Sequence, residues 1–298
     1  MFKNLMVYRI GADWSPALAQ MEQGLAQGRY VQCGATQEKS VGWIEPRGQA
    51  HGPLLEAVAG QWLLKLMIES KALPGSVVNR KLDERLAQIE VAEGRKPGKR
   101  EKREIKDDIR LQLLPMAFTK QATVLVWIDR KAGWLALDAA SQARADEAVT
   151  CLAQCLDGLV VLPLDTQTSP AAAMSEWLGS QQAPPGFSVD RECELKAPDE
   201  SRAVVRYSRH PLDTEEVRQH VASGKLPTRL ALTWENRVSL VLTDTLQVKK
   251  LVFLDVVFEG PAGKQDDGFD ADAAIATGEL QRLIPDLLLA LGGETVVA

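Results

Sequence analysis

The chain has 298 residues, 45% of them hydrophobic and 25% charged, with 35 Lys and Arg against 40 Asp and Glu for a net charge of −5. That composition excludes wholesale disorder, and the net acidity argues against a uniformly basic nucleic-acid coat without saying where the charges sit. No apolar run approaches the ~18 residues of a membrane helix, the first ten residues carry Lys3, Asn4 and Arg9 rather than an apolar signal core, and the four cysteines (Cys33, Cys151, Cys155, Cys193) are too scattered for a disulfide scaffold. The expectation is a soluble, thiol-reduced cytoplasmic protein.

In chain order, residues 5–10 read as a strand, 16–27 as a helix, and 42–44 and 61–68 as further strands, with Gly and Pro between them. The pattern changes at Leu73-Pro74-Gly75-Ser76. Ser76 has the chemistry of an N-cap, and Val78, Leu82, Leu86 and Ile89 then recur on one helical face. After Pro97-Gly98, Ile105, Ile109 and Leu113 mark a second helix ending near Leu114-Pro115. Two helices joined by the polar turn Gly94-Arg95-Lys96-Pro97-Gly98-Lys99-Arg100 form an antiparallel hairpin. Strands follow at 123–129 and 134–138, turning near 131–133, and then a helix at 141–156. Cys151 and Cys155 lie four apart on that helix, a spacing that suits packing as small apolar residues better than metal ligation.

A Pro/Ser/Gln-rich stretch, 163–185, reads as a connector broken by a short helix around 174–178. Beyond it come a strand at 203–207 and a helix at 214–222 with Asp213 as its cap. Antiparallel strands at 230–234, 238–242 and 249–253 follow, then a helix at 272–291 that Pro285 bends or divides. The fold class is therefore α+β: antiparallel sheets with flanking helices and a protruding helical hairpin. The expected regions are an N-terminal α/β region (1–73), a finger with a basic tip (74–118), and a strand pair and helix packing with the N-terminal region (119–162). A connector (163–190) and a C-terminal α/β region (191–298) complete the chain. The order helix, strand, turn, strand, helix occurs twice, from 76 to 156 and from 213 to 291, which reads as an internal structural duplication that no sequence identity supports.

The mild net charge conceals segregation. Residues 94–106 hold seven basic and two acidic side chains, a local +5, whereas 255–298 hold nine acids and only Lys264 and Arg282, a local −7. At about 100° per residue, Lys99, Arg103, Lys106 and Arg110 fall within about 60° of one another, with Glu101, Glu104, Asp107 and Asp108 opposite. Like charges at these spacings cost roughly 0.2–0.5 kcal/mol per pair, which a row of phosphates would recover. A solvated helix whose charges only maintain solubility is the plainer reading of the same pattern.

Motifs for phosphate loops, dinucleotide binding and serine hydrolases are missing. His51, His210 and His220 are isolated from the cysteines and from one another, and suit structural or surface roles better than metal ligation. Asp270 and Asp272 could hold Mg²⁺ in a nuclease, although acids at a helix start are favoured by the helix dipole alone. Nothing in the sequence assembles a nucleophile, a base and an orienting group, so the expectation is a protein that is not an enzyme and takes no cofactor.

Several strings, in order and at matching spacing, resemble the bacterial RdgC family of recombination-associated proteins. They are the opening Met1-Phe2-Lys3-Asn4-Leu5-Met6-Val7-Tyr8-Arg9, Leu113-Leu114-Pro115-Met116-Ala117-Phe118 and Val126-Trp127-Ile128-Asp129. The later ones are Leu212-Asp213-Thr214-Glu215-Glu216, residues 225–232 with Trp234, Phe269-Asp270-Ala271-Asp272, Thr277-Gly278-Glu279-Leu280 and Ala290-Leu291-Gly292-Gly293. The resemblance implies a nucleoid-associated homodimeric ring whose positively charged hole admits double-stranded DNA without sequence preference. It also implies restraint of recombination by limiting access of RecA, a link to replication-fork repair, and neither catalysis nor cofactor.

Carried over by position, the resemblance assigns DNA binding to the basic position Arg95, and the hairpin charge extends that set to Lys96, Lys99, Arg100, Arg103 and Lys106. Phe118 matches an aromatic that docks into the opposing subunit; an ordinary core aromatic after a helix is its bland alternative. Arg209 and His210 fall on a Lys-Gln pair implicated in DNA binding and, for His210, ring closure; His in place of Gln changes the hydrogen bonding. Met116 stands where a relative carries Arg. A different reading of the finger is a protein-interaction module that docks an acidic partner.

Overall fold

The computed structural model describes residues 2–258 and 268–295. Its framework is a seven-stranded antiparallel sheet built on two 12-residue strands, β4 (Gln61–Ala72) and β5 (Phe118–Asp129). Around them run β1 (Met6–Ile10), β2 (Lys39–Ile44), β3 (Leu55–Val58), β6 (Trp134–Leu137) and β7 (Val161–Pro163). The order is β2-β4-β5-β6-β1-β7, and β3 pairs with β4 ahead of β2 on the same side. A five-stranded antiparallel sheet follows, ordered β12-β11-β10-β8-β9, from β8 (Phe187–Lys196), β9 (Val204–Ser208), β10 (Leu226–Trp234), β11 (Val238–Thr243) and β12 (Val248–Phe253).

Seven helices complete the described residues: α1 (Leu18–Gln27), α2 (Gly75–Glu93), α3 (Lys99–Leu113), α4 (Gln142–Cys155), α5 (Pro170–Ser180), α6 (Glu215–Ala222) and α7 (Gly268–Ala290). None is long and apolar enough to cross a membrane.

Alternation along β5 explains the layering. Val124, Val126 and Ile128 face a core that also holds Met21 and Leu25 of α1 and Ala145, Ala148 and Leu152 of α4. Trp127 faces the other way, into a core shared with α5, α7 and the second sheet through Trp177, Leu230, Trp234, Leu280 and Ile284. Because both faces are covered, residues 124–128 read as a continuous apolar run rather than an alternating one. The two sheets are also tied through backbone, since Leu5 and Val248 exchange N–H···O bonds of 2.8 and 3.0 Å.

The structure corrects several local readings. α2 is capped at Pro74, not Ser76, and α6 at Thr214, not Asp213. Pro285 does not divide α7, which is continuous across it. The 163–190 stretch contains more order than its composition suggested. α5 there is 11 residues long, with Ser169 accepting from the Ala172 amide as its cap, and β8 begins at Phe187. β3 and β7, at four and three residues, are too short for periodicity to show. Leu226–Leu230 belongs to β10 despite Pro227, which sits at a register shift against β8, where a missing N–H is tolerated.

Candidate nucleic-acid interface

β4 and β5 stay paired without interruption from Trp62↔Ile128 to Ala72↔Phe118. At that far end the chain leaves the sheet as α2 and returns as α3. Leu82, Leu86, Ile89, Ile105 and Leu113 are half-buried, while only Val78 on α2 and Ile109 on α3 are fully buried. The apolar stripes seen in the sequence are therefore spent on helix–helix packing, and most of the rest of the finger is exposed. A groove of about 650 Å³ runs between the helices, lined by Ile89, Ile105, Ile109, Leu113 and Met116.

At the tip, Gly94 closes α2 in the left-handed conformation (φ 64°), its N–H bonding the Glu90 carbonyl at 3.0 Å, as a C-terminal glycine does. Arg95 then turns back on its own hairpin. Its guanidinium donates twice to Glu101, at 2.7 and 2.9 Å, and pairs with Glu93 at 2.7 Å. These carboxylates raise the Arg95 pKa, and Arg95 holds the Glu101 carboxyl below its usual range. Lys96 lies 3.5 Å from Glu90, and Arg100 pairs with Glu104 at 3.0 Å.

Lys99, Arg103 and Lys106 differ. Among the described residues they form no ion pair, and neither does Arg110 on the same face. Lys99, Arg103 and Arg110 are exposed and Lys106 is half-buried. Of these cations only Lys99 sits in the first turn of α3, where the helix macrodipole disfavours positive charge, while Arg110 sits in the last turn, where it is favoured. The helix dipole thus accounts for Arg110 but not for Lys99, Arg103 and Lys106. The candidate residues split into a locally neutralised set at the turn (Arg95, Lys96, Arg100) and a free row along α3.

Phe118 is 86% exposed and Met116 73% exposed at the base of the finger. The core-aromatic reading of Phe118 is thereby overturned in this chain, because β5 enters the covered part of the sheet only some six residues later. Arg209 and His210 lie elsewhere, after β9 at the edge of the five-stranded sheet. Arg209 has φ 55°, an uncommon conformation for a non-glycine residue. The His210 amide donates to the Arg191 carbonyl at 3.1 Å, its Nδ1 lies 2.7 Å from the Pro211 carbonyl, and its ring tilts against Tyr207 with centroids 5.5 Å apart. Both side chains are exposed. The finger and this pair are thus on different sheets.

Other groups take structural positions. Cys151 and Cys155 pack against the α1–α4 core; burial pushes the Cys151 thiol up to about 11. Asp270 accepts from the Arg47 guanidinium at 2.5 Å, and among the described residues no three His, Cys, Asp or Glu side chains converge to hold a metal ion. Sequence reasoning missed a third cationic group, Arg9, Arg130 and Lys131, around one cavity. Arg9 is far in the chain from the adjacent Arg130 and Lys131, and the β1–β6 pairing with the Arg9–Ala132 hydrogen bond brings them together.

The fold and site define an α+β protein that extends a cationic helical arm from the end of a long strand pair. The family model described as "Putative exonuclease, RdgC" matches residues 1–294. A protein of Dechloromonas aromatica named "Recombination-associated protein RdgC" is 45% identical over 100% of this chain and 99% of its own length. Relatives of the same name from Cupriavidus necator and Bordetella pertussis are 47% and 43% identical, each over 98% of both chains. The chain belongs to the RdgC family of recombination-associated proteins.

Proposed function

We propose that this protein is a non-enzymatic, largely sequence-independent binder of double-stranded DNA. In this reading two copies form a ring around the duplex, limit access of RecA, and act in recombination and replication-fork repair at the nucleoid. The observation that carries the proposal is the row Lys99, Arg103, Lys106 and Arg110, which lacks carboxylate partners among the described residues and sits on an arm free of the core. Contacts from Lys and Arg to phosphate carry no sequence information, which accounts for indifference to sequence. Phe118, with Met116 beside it, supplies the apolar contact between the copies. Arg209 and His210 supply the second contact region, and closed two-fold pairing is the commonest oligomer symmetry. The recurring order α3-β5-β6-α4 and α6-β10-β11-α7 supports an ancient duplication, with β12 added to the second half.

The test is salt dependence. Each phosphate neutralised contributes about 0.9 to the slope of log affinity against log salt concentration. Replacing Lys99, Arg103 and Lys106 by Ala should flatten that slope by roughly 2–3, as measured by anisotropy on a fluorescent duplex. An unchanged slope removes the finger from the DNA path. The nuclease reading carried by the family description has its own test: Mg²⁺ with end-labelled duplex, where intact strands support a binder and shortened strands a nuclease.

A further inference from the structure

At the end of β5 opposite the finger, a cavity of about 380 Å³ is lined by Arg9, Trp14, Arg130, Lys131 and the turn Ala132-Gly133. Among the described residues no carboxylate side chain lines it. Arg9 is committed to Glu294, to which its Nε donates at 2.6 Å, and to the Ala132 carbonyl, so it forms a fixed wall. Arg130 and Lys131 are exposed and form no ion pair among the described residues. Arg130 lies over the Trp62 ring at 4.3 Å and donates to the Ser15 hydroxyl at 3.4 Å.

The cavity is built rather than incidental. Asp129 accepts the Lys131 and Ala132 amides at 3.0 and 2.9 Å and is itself held by Gln281 of α7 at 2.6 Å, which fixes the turn presenting both cations. Gly133 turns there with φ 70°. Trp14, half-buried against the α1–α4 core, also lines this cavity, and its indole N–H donates to the Asp157 carbonyl at 3.3 Å, which fixes the ring.

Two cations without carboxylate partners among the described residues, beside a fixed aromatic side chain, match the chemistry of one nucleotide: phosphate to the cations and base against the ring. A base in a duplex is stacked between its neighbours and cannot reach such a ring without being flipped out. We infer that this cavity binds one nucleotide unit of a single strand, with the phosphate on Arg130 and Lys131 and the base against Trp14. The site is separate from the proposed duplex path. β5 spans 12 residues between Phe118 and Asp129, which at about 3.3 Å per residue puts the cavity roughly 36 Å from the base of the finger.

The full-length protein is titrated with a 12-residue thymidine oligonucleotide, a 12-base-pair duplex and inorganic phosphate, while the Trp14 indole and Gly133 amide resonances are followed. The expectation is that the oligonucleotide shifts both signals. Arg130→Gln with Lys131→Gln should weaken it at least ten-fold and lower its salt slope by about 0.7, the contribution of the one single-strand phosphate the two cations share. Trp14→Ala should weaken it by a similar factor. The thermal midpoint of each variant is measured alongside, and the Arg130 and Lys131 changes, being on the surface, should leave it in place. Unmoved resonances, or an unchanged oligonucleotide affinity in the double variant, would overturn the inference. So would inorganic phosphate shifting Gly133 as strongly as the oligonucleotide while Trp14→Ala loses nothing, since that describes a bare anion site. The finger variant Lys99→Ala, Arg103→Ala, Lys106→Ala separates the two readings: it should lose duplex affinity and keep the oligonucleotide shifts.

Discussion

At the scale of single residues, the finger sorts its cations by what already neutralises them. Arg95 is closed into a loop with Glu93 and Glu101, so a phosphate approaching it must compete with two carboxylates. Lys99, Arg103 and Lys106 face no such competitor among the described residues, and in the proposed reading they would carry the larger share of the electrostatic affinity. Phe118 is the other informative residue. At 86% exposure it contributes little to folding, and burying such a side chain fully is worth about 1.5–3 kcal/mol. Phe118→Ser should therefore leave the thermal midpoint unchanged while weakening self-association, as read by sedimentation. An undisturbed dimer with unaltered DNA affinity would take Phe118 out of the interface. Periodicity could find the cationic row because α3 is a regular helix. It could not find the sorting, since Arg95–Glu101 pairing depends on how the turn from Gly94 to Gly98 folds back.

At the scale of elements, α7 is bound to the second sheet by an ionic cluster around the buried Glu279. Glu279 accepts from Arg237 at 2.8 and 2.6 Å and from Arg282 at 2.5 Å, and these guanidinium groups hold its carboxyl below the usual range. A carboxyl depressed in the folded state adds stability that is present above its unfolded pKa and is lost as pH falls through the folded value. Denaturant melts from pH 7 down to pH 3 should show that loss, and Glu279→Gln should remove this component and cost roughly 1 kcal/mol at pH 7, less than a fully buried pair because Arg237 and Arg282 keep solvent contact. The α1–α4 contact makes a steric prediction. A Cβ on Gly24 would lie 2.2 Å from the Cys155 carbonyl oxygen, so Gly24→Ala should lower stability by roughly 1–3 kcal/mol in the same melts. Neither feature was legible beforehand, because each joins residues distant in sequence. Elements with strong local signals were legible: the hairpin, the strands around the 131–133 turn, α4, and β10 to β12. The stretch at 163–190 was obscured because its Pro, Ser and Gln content resembles a connector, while α5 is held by tertiary burial of Met174, Trp177 and Leu178.

At the scale of the whole molecule, the charge is distributed so that a net −5 chain still presents a cationic arm. The two sheets share one core, which makes a stiff base from which the finger projects along β4 and β5. Two such arms meeting at Phe118, with a second contact at Arg209 and His210, would close a loop whose cations face inward. Enclosure of that kind slows release without base contacts, and it depends on the topology of the DNA as well as on its charge. Electrostatic attraction alone treats a covalently closed circle and a linear fragment of equal length alike, since both present the same phosphates. The decisive measurement is retention on closed circular against linearised duplex after a step to high salt. The proposed ring predicts a salt-resistant fraction on circles that a single restriction cut releases; equal loss from both forms would contradict it.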